Sequence, residues 1–306
     1  MRQRFSVLVL IVALGLLFSF SSCKKDTIST NKTKQVLADF ILADTSLSIF
    51  TQIVQRANEI GLLARTDSVT ILAPTNTAFL HAGITASVIN ATPSSKLDLI
   101  ARYYFVPGKV LFSTGSYIPF KTLLNWPVYG YSNNDSIYLN GVKGNKTTIT
   151  GSNAILYKLN APLELPADSI NQLPVTDSSF SFFVAALHRT GMVDSVLTGW
   201  NTLLAPDNNA FIIAGYPDTA FINNTDSANL RSIIQYHILP GQYFSSYFLS
   251  HASVMSATGI SILTNYNNGM LQFTGAGNSG PATVLRGNIV TGDSTFVYKI
   301  NKLLLQ

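Results

Sequence analysis

The chain is predicted to fold as two copies of one α+β unit, and three observations carry that expectation. First, one passage is written twice: Thr70-Ile-Leu-Ala-Pro-Thr-Asn-Thr-Ala-Phe79 returns as Thr202-Leu-Leu-Ala-Pro-Asp-Asn-Asn-Ala-Phe211. Second, Tyr103-Tyr-Phe-Val-Pro-Gly108 returns as Tyr236-His-Ile-Leu-Pro-Gly241, so Pro74/Pro206 and Pro107/Pro240 stand 132 and 133 residues apart. A repeat of domain length means two whole folding units and not a solenoid of short ones. Third, in each unit helical periodicity comes first and strand-and-turn text follows, the order of an α+β domain rather than of alternating α/β.

The elements follow in order. Arg2 and Arg4 precede a mainly apolar run from Phe5 to Phe20, and Ser21-Ser22 lead to Cys23. This reads as a secretory signal over residues 1–22, excluded from the fold. Residues 23–33 are polar, carry no period and read as a tether. The first unit, 34–165, opens with Val36, Leu37, Phe40 and Ile41, then Phe50, Ile53, Val54, Ala57 and Ile60, apolar at helical spacing and stopped by Gly61. The second unit, 177–306, repeats that helix as Phe180, Phe183, Val184 and Leu187 before Gly191. Between them, 166–176 is bracketed by Pro166 and Pro174 and reads as a linker.

Val69–Leu72 reads as a strand ended by Pro74, which cannot donate to a ladder. Thr75 and Asp207 are good N-cap residues for a short helix carrying Ala78-Phe79 or Ala210-Phe211. A third helix is predicted over Ser94–Tyr104 and again over Ser227–His237. Strands are predicted at Ser136–Leu139, Ala154–Lys158 and Thr295–Lys299. Each unit closes alike, Tyr157-Lys-Leu-Asn160 against Tyr298-Lys-Ile-Asn301.

Composition narrows the function. The chain is 47% hydrophobic and only 11% charged, so both units can bury cores and neither reads as disordered. The net charge of +5 owes two charges to Arg2 and Arg4, and no basic cluster exists beyond Lys24-Lys25. Nucleic acid is therefore not an expected partner, since it calls for a concentrated basic stripe. Cys23 is the only cysteine, which excludes an internal disulfide and a cysteine metal site.

The repeated passages resemble the fasciclin-type domain, twice. Its first signature resembles Thr-[Val/Ile/Leu]-[Phe/Leu]-Ala-Pro-[Thr/Ser/Asp]-Asn-x-Ala-Phe, which both units satisfy. Its second resembles Tyr-His-x-x-Pro-Gly, which the second unit satisfies and the first alters at Tyr104. The resemblance covers nearly the whole mature chain. It implies two tandem domains, each a β-sandwich or wedge with helices packed around one side. It also implies an extracellular or surface-attached adhesion or matrix-binding module without catalytic activity. Tyr236, His237, Tyr103 and Tyr104 become candidate binding residues, because the Tyr-His pair is regarded in some members as an adhesion determinant. The competing reading has them bonding the signature loop from inside the fold. Pro74, Thr75, Asn76, Pro206, Asp207 and Asn208 are read as a structural turn, with the asparagines bonding the turn backbone.

Cys23 after an apolar run and small residues resembles the bacterial lipoprotein box, with Phe20 where Leu is usual. That resemblance implies cleavage before Cys23, acylation and a membrane anchor. The junction Ser-Cys-Lys-Lys-Asp resembles those of Bacteroidetes. The expected location is the cell envelope, as an outer membrane lipoprotein exposed at the surface, with a periplasm-facing position as the alternative.

No cluster announces catalysis. His81, His188, His237 and His251 are far apart without metal-ligand spacing, and no Gly-x-Ser-x-Gly elbow is present. The chain is read as a non-enzyme without cofactor or metal. Its expected role is adhesion, or binding of an extracellular protein or matrix partner. The alternative is a glycan-binding accessory lipoprotein of a polysaccharide-uptake system, with aromatic platforms stacking on sugars. Tyr117, Trp126, Tyr129 and Tyr131, or Tyr243 and Tyr247, are candidate contact patches unless they cover the core. Finally, ten of thirteen aspartates are followed directly by Ser or Thr. This resembles the acceptor motif of Bacteroidetes O-glycosylation and would place glycans at Ser68, Ser136, Ser169, Ser195, Thr219 or Ser227. Asp-Ser pairs that cap helices and open turns would give the same pattern.

Overall fold

A computed structural model describes residues 32–306 apart from 66, 116, 133–135, 149–153 and 168. The leader 1–22, Cys23 and the tether as far as residue 31 lie outside the described residues. In the first domain, α1 (Lys32–Ala43) leads through a 3-10 turn to α2 (Ser48–Arg56). Most of the predicted stripe is buried, with Phe50, Ile53, Val54 and Ala57 facing inward, but the helix ends at Arg56, and Ile60 is exposed in a separate 3-10 turn (Ile60–Ala64) that runs through Gly61. The turn between the helices is held by Asp44, whose carboxylate accepts from Ser46 N–H at 3.0 Å.

β1 (Val69–Pro74) follows, buried at all six positions. It is succeeded by α3 (Asn76–His81), α4 (Ala86–Ala91), α5 (Ser94–Tyr103) and β2 (Phe105–Pro107). A meander of β3 (Tyr117–Lys121), β4 (Pro127–Ser132), β5 (Ile137–Leu139) and β6 (Val142–Thr148) then returns the chain to β7 (Ala154–Leu159). The spatial order is β2-β1-β7-β6-β5-β4-β3. β7 lies parallel to β1, from Val69 opposite Ala154 to Pro74 opposite Leu159, and so needs a long crossover. β1 is sandwiched between helices and sheet interior, which explains why it is apolar at every position but Thr70.

The second domain repeats the plan. α6 (Leu173–Thr176), α7 (Ser181–Arg189) and α8 (Val193–Thr198) precede β8 (Asn201–Pro206). Then come α9 (Asn208–Ile213), α10 (Thr219–Asn224), α11 (Ser227–Tyr236), β9 (Ile238–Pro240) and α12 (Ser245–Phe248). The closing strands are β10 (Ser253–Met255), β11 (Ser261–Asn267), β12 (Met270–Thr274), β13 (Ala282–Val290) and β14 (Phe296–Ile300), in the order β10-β11-β12-β13-β14-β8-β9. Alternation along β8 divides the core. Leu203 and Ala205 pack toward the helices with Phe183 and Leu187, while Leu204 packs inside the sheet with Phe273 and Tyr298.

Each domain holds one continuous sheet, so the wedge is a nearly closed curl and not two stacked sheets. Beyond the ladder, Leu123 N–H donates to the Phe105 carbonyl at 2.8 Å in the first domain, and Ala257 N–H to the Ile238 carbonyl at 2.7 Å in the second. These bonds bring the sheet's two edges together. The stretch predicted as a linker, 166–176, is a packed segment: Ile170 and Leu173 are buried in the second core. Among the described residues, no single helix is long and apolar enough to cross a membrane.

Candidate functional site

The two signatures form one structural frame. Thr75 and Asp207 accept from Ala78 N–H at 3.2 Å and Ala210 N–H at 2.8 Å, each capping the short helix after the Pro. The Thr that opens the first signature reaches the Gly that ends the second. Thr70 Oγ1 donates to the Gly108 carbonyl at 2.8 Å, and Thr202 Oγ1 to the Gly241 carbonyl at 2.8 Å. Both glycines are left-handed, with φ of 83° and 121°, a conformation that L side chains rarely adopt.

Asn76 and Asn208 bond elsewhere than the sequence suggested. Asn76 Oδ1 accepts from Ile49 N–H at 2.9 Å, and its Nδ2 donates to the Thr45 carbonyl at 2.8 Å and Ser48 Oγ at 2.9 Å. Asn208 repeats this with Phe182 N–H, the Ser178 carbonyl and Ser181 Oγ at 3.0, 3.1 and 3.0 Å. Each asparagine thus clamps the start of the preceding long helix and not its own turn. A second tie joins the same corner to the closing strand: Lys158 meets Asp44 at 2.5 Å and Lys299 meets Asp177 at 2.6 Å. Burial raises both carboxyls, but the ammonium and the neighbouring serine outweigh it and hold them below their ordinary range.

Tyr103, Tyr104, Tyr236 and His237 are at most 1% exposed, which corrects the expectation that they touch a ligand. Their polar atoms are spent on backbone, as buried polar groups require. Tyr103 Oη donates to the Pro127 carbonyl at 3.0 Å, and Tyr104 Oη to the Leu163 carbonyl at 3.3 Å while accepting from Leu163 N–H at 3.2 Å. Tyr236 Oη donates to the Ser261 carbonyl at 3.1 Å and accepts from Ala276 N–H at 3.0 Å. His237 Nδ1 faces the Ile233 carbonyl at 2.9 Å, and its Nε2 accepts from Leu304 N–H at 2.9 Å. Burial pulls this imidazole down to about 4. These side chains staple the sheet interior and the closing segment; they do not bond the signature loop.

Several Asp-Ser/Thr pairs are caps. Asp177, Asp218 and Asp226 accept from Ser179, Phe221 and Asn229 N–H at 3.1, 2.7 and 2.9 Å. Of the proposed glycan acceptors, Ser195 is exposed, whereas Ser68, Ser136, Ser169, Thr219 and Ser227 are half-buried. The capping geometry accounts for the Asp at 218 and 226.

The domains meet through their aromatic residues. Tyr129 of β4 is buried against Phe296 and Phe244, with ring centroids 4.9 and 5.9 Å apart. Gln242 bridges the joint. Its Nε2 donates to the Ser294 carbonyl at 2.7 Å and to Tyr129 Oη at 3.4 Å, and its Oε1 accepts from Tyr117 Oη at 3.3 Å. Arg286 pairs with Glu164 at 2.5 Å, and Gly292 N–H donates to the Ala167 carbonyl at 2.6 Å.

Above this joint opens a cleft of about 200 Å³. One wall is Tyr117 and Tyr131 of the first domain; the other is Gln242, Phe244, Ser246, Tyr247, Ser250 and His251 of the second. The Tyr247 and His251 rings lie parallel, 3.7 Å apart at 8°. Burial, with Tyr129 adding to it, pushes the Tyr117 phenol well above its ordinary range. Of the aromatic patches suggested by sequence, Tyr117, Tyr131 and Tyr247 line the cleft and Tyr129 lies beneath it. Trp126 packs against Tyr103 instead, and Tyr243 against Tyr247. Sequence reasoning missed Gln242, Phe244, Ser246, Ser250 and His251, because only domain docking brings them to Tyr117. Among the described residues, no group of three His, Cys, Asp or Glu is placed to hold a metal.

Fold and site together define a tandem α+β module built around a structural frame, with its open polar-aromatic surface at the domain joint. The sequence profile described as the Fasciclin domain matches residues 45–166 and 178–306, and the chain belongs to that family. Human periostin is 28% identical over 210 residues, 66% of this chain and 24% of periostin, so the chain spans about a quarter of that relative. Among solved structures, a FAS1 domain pair from the insect cell adhesion molecule fasciclin I aligns over 90% of this chain and 98% of its own. That alignment has 13% identity and a TM-score of 0.41.

Proposed function

We propose that the chain is a non-catalytic adhesion protein of the cell envelope, held by a lipid on Cys23 and presenting its two fasciclin domains to an extracellular protein, matrix or glycan partner. The carrying observation is the match of the fasciclin profile to both halves of the chain, a domain associated with cell adhesion. The docking of the domains through Tyr129, Phe244 and Phe296 supports presentation as a unit. The signal-like leader and the lone Cys23 support an outer membrane lipoprotein exposed at the surface. Protease shaving of intact producing cells tests this, with Cys23→Ala as the control. Release of the protein from intact cells, with loss of cell association in the Cys23→Ala chain, is the expected result. Full protection until the envelope is opened would confine it to the periplasm and end the cell-adhesion reading.

The aromatic cleft favours a second reading, a glycan-binding accessory lipoprotein of a polysaccharide-uptake system. A glycan array separates the two, since sharp selection of one polysaccharide favours the second and binding to matrix protein alone favours the first. O-glycosylation at Ser68, Ser136, Ser169, Ser195, Thr219 or Ser227 is proposed from the Asp-Ser/Thr pattern. Intact-mass measurement on natively produced protein checks it, and a mass equal to the lipidated polypeptide alone rules it out.

A further inference from the structure

Three features of the cleft between the domains bear on what it holds. Among the described residues its lining carries no Asp, Glu, Lys or Arg, so a charged ligand would meet no counter-ion from them. The Tyr247 and His251 rings lie face to face, so Tyr247 backs one side of the imidazole and the outer side of exposed His251 is the ring face left to a guest, with His251 fixed by its Nδ1 contact to the Tyr247 carbonyl at 2.7 Å. Between the rings stand hydrogen-bonding groups that remain unspent. The hydroxyls of Tyr131, Tyr247 and Ser246, and Nε2 of His251, have no hydrogen-bond partner among the described residues.

A purely apolar guest would desolvate those groups and leave them unmade, at a cost that opposes binding. A guest with one C–H-rich face and a rim of hydroxyls satisfies both rings and rim. At about 200 Å³ the cleft is below the roughly 300–1,000 Å³ of pockets that enclose drug-sized ligands, so it accepts one ring-sized unit. The walls are also fixed before any ligand arrives, through Gln242 and the Tyr129–Phe296–Phe244 packing. That lowers the ordering cost of binding.

We propose that this interdomain cleft binds one neutral pyranose residue of a glycan, stacked on the outer ring face of His251, which Tyr247 backs, and hydrogen-bonded by Tyr131 and Ser246. The inference rests on the glycan-binding reading and narrows its ligand class at the cleft; it holds whichever face of the envelope carries the protein. A single residue in so small and open a site binds weakly, with Kd on the order of 1 mM. Neighbouring sugars would extend outward from the cleft and not into it.

The test uses the full chain with neutral hexaoses of glucose, mannose and galactose, and a hexagalacturonate as the charged comparison, read by saturation-transfer NMR and titration. The expected result is millimolar or tighter binding of at least one neutral hexaose, weakened about ten-fold by both Tyr247→Ala and His251→Ala. Trp200→Ala, which removes an exposed aromatic outside the cleft lining, should leave binding unchanged. Because Tyr247 also packs on Phe248, exposed His251 supplies the variant least coupled to folding. The proposal is overturned by no binding of any neutral hexaose, by equal or tighter binding of hexagalacturonate, or by binding that survives His251→Ala. Competition by N-acetyltyrosine amide with no competition by methyl pyranosides would assign the cleft to a protein side chain and also overturn it. Attachment of cells to a sugar-free protein matrix reports on the adhesion reading alone, so either idea can fail without the other.

Discussion

Mild acid should weaken the second domain through His237, by a route that the first domain lacks. The neutral imidazole with its proton on Nδ1 satisfies both neighbours: it donates to the Ile233 carbonyl and accepts from Leu304 N–H. A second proton on Nε2 would face the Leu304 N–H, donor against donor. Burial pulls the folded pKa from 6.5 to about 4, opposed in part by the Ile233 carbonyl. The unfolded chain takes up its proton near pH 6.5, so between pH 4 and 6.5 the unfolded state binds more protons. Stability from this group is therefore complete above pH 6.5 and is lost as pH falls toward 4. The loss is about 2 kcal/mol at pH 5, approaching about 3 kcal/mol below pH 4 at about 1.4 kcal/mol per unit. Tyr104 occupies the matching site of the first domain, its phenol pushed above the ordinary range by burial, and it gains no proton in this window.

Peptide-resolved hydrogen exchange at pH 7.5 and 5.0, corrected for intrinsic rates, reads the two domains separately. Peptides from α11 and β9 should lose protection that peptides from α5 and β2 retain. His237→Gln should be less stable throughout yet lose this acid response. The reasoning fails if the His237 ring titrates above pH 6 by NMR, or if the variant keeps the same acid loss.

Three further outcomes follow from the frame and the joint. Asn208→Ala strands Phe182 N–H and the Ser178 carbonyl and should cost about 1–3 kcal/mol in urea unfolding, as should Asn76→Ala in its own domain. Gly108→Ala meets open space and should cost only the left-handed strain of about 1–2 kcal/mol. Gly241→Ala should cost more, because its Cβ would lie 2.6 Å from Tyr243 Oη, and thermal unfolding of the two variants gives the comparison. Tyr129→Ala removes the buried ring between the domains and should cost about 3 kcal/mol, splitting the calorimetric transition in two. A single unshifted transition would show that the domains are not coupled there.

Much of the frame was legible because its signals are local. Phe50, Ile53 and Val54 declare a helix face by spacing, and Pro74-Thr75 declares a strand end and a cap in two residues. The partners of the asparagines were not legible, since Asn76 bonds a helix start 27 residues upstream. The signature pointed to an inward His237, but its partners Ile233 and Leu304 were not legible, and no sequence signal marked His251 as a cleft residue. The cleft was least legible: Tyr117 and Gln242 lie 125 residues apart and meet only because two complete domains dock. Aromatic residues in the two halves could be counted in the sequence, but not joined.

The parallel pairing of β1 with β7 sets how each domain meets mechanical load. The strand beginning at Val69 and the strand ending at Leu159 run side by side in one direction. A taut chain drawing Val69 one way and Leu159 the other slides them lengthwise, so the evenly spaced rungs are stressed together and not peeled one at a time. β8 and β14 repeat the arrangement from Thr202 to Ile300. Two such shear clamps in series let the protein stretch at its helical margins before either sheet gives way.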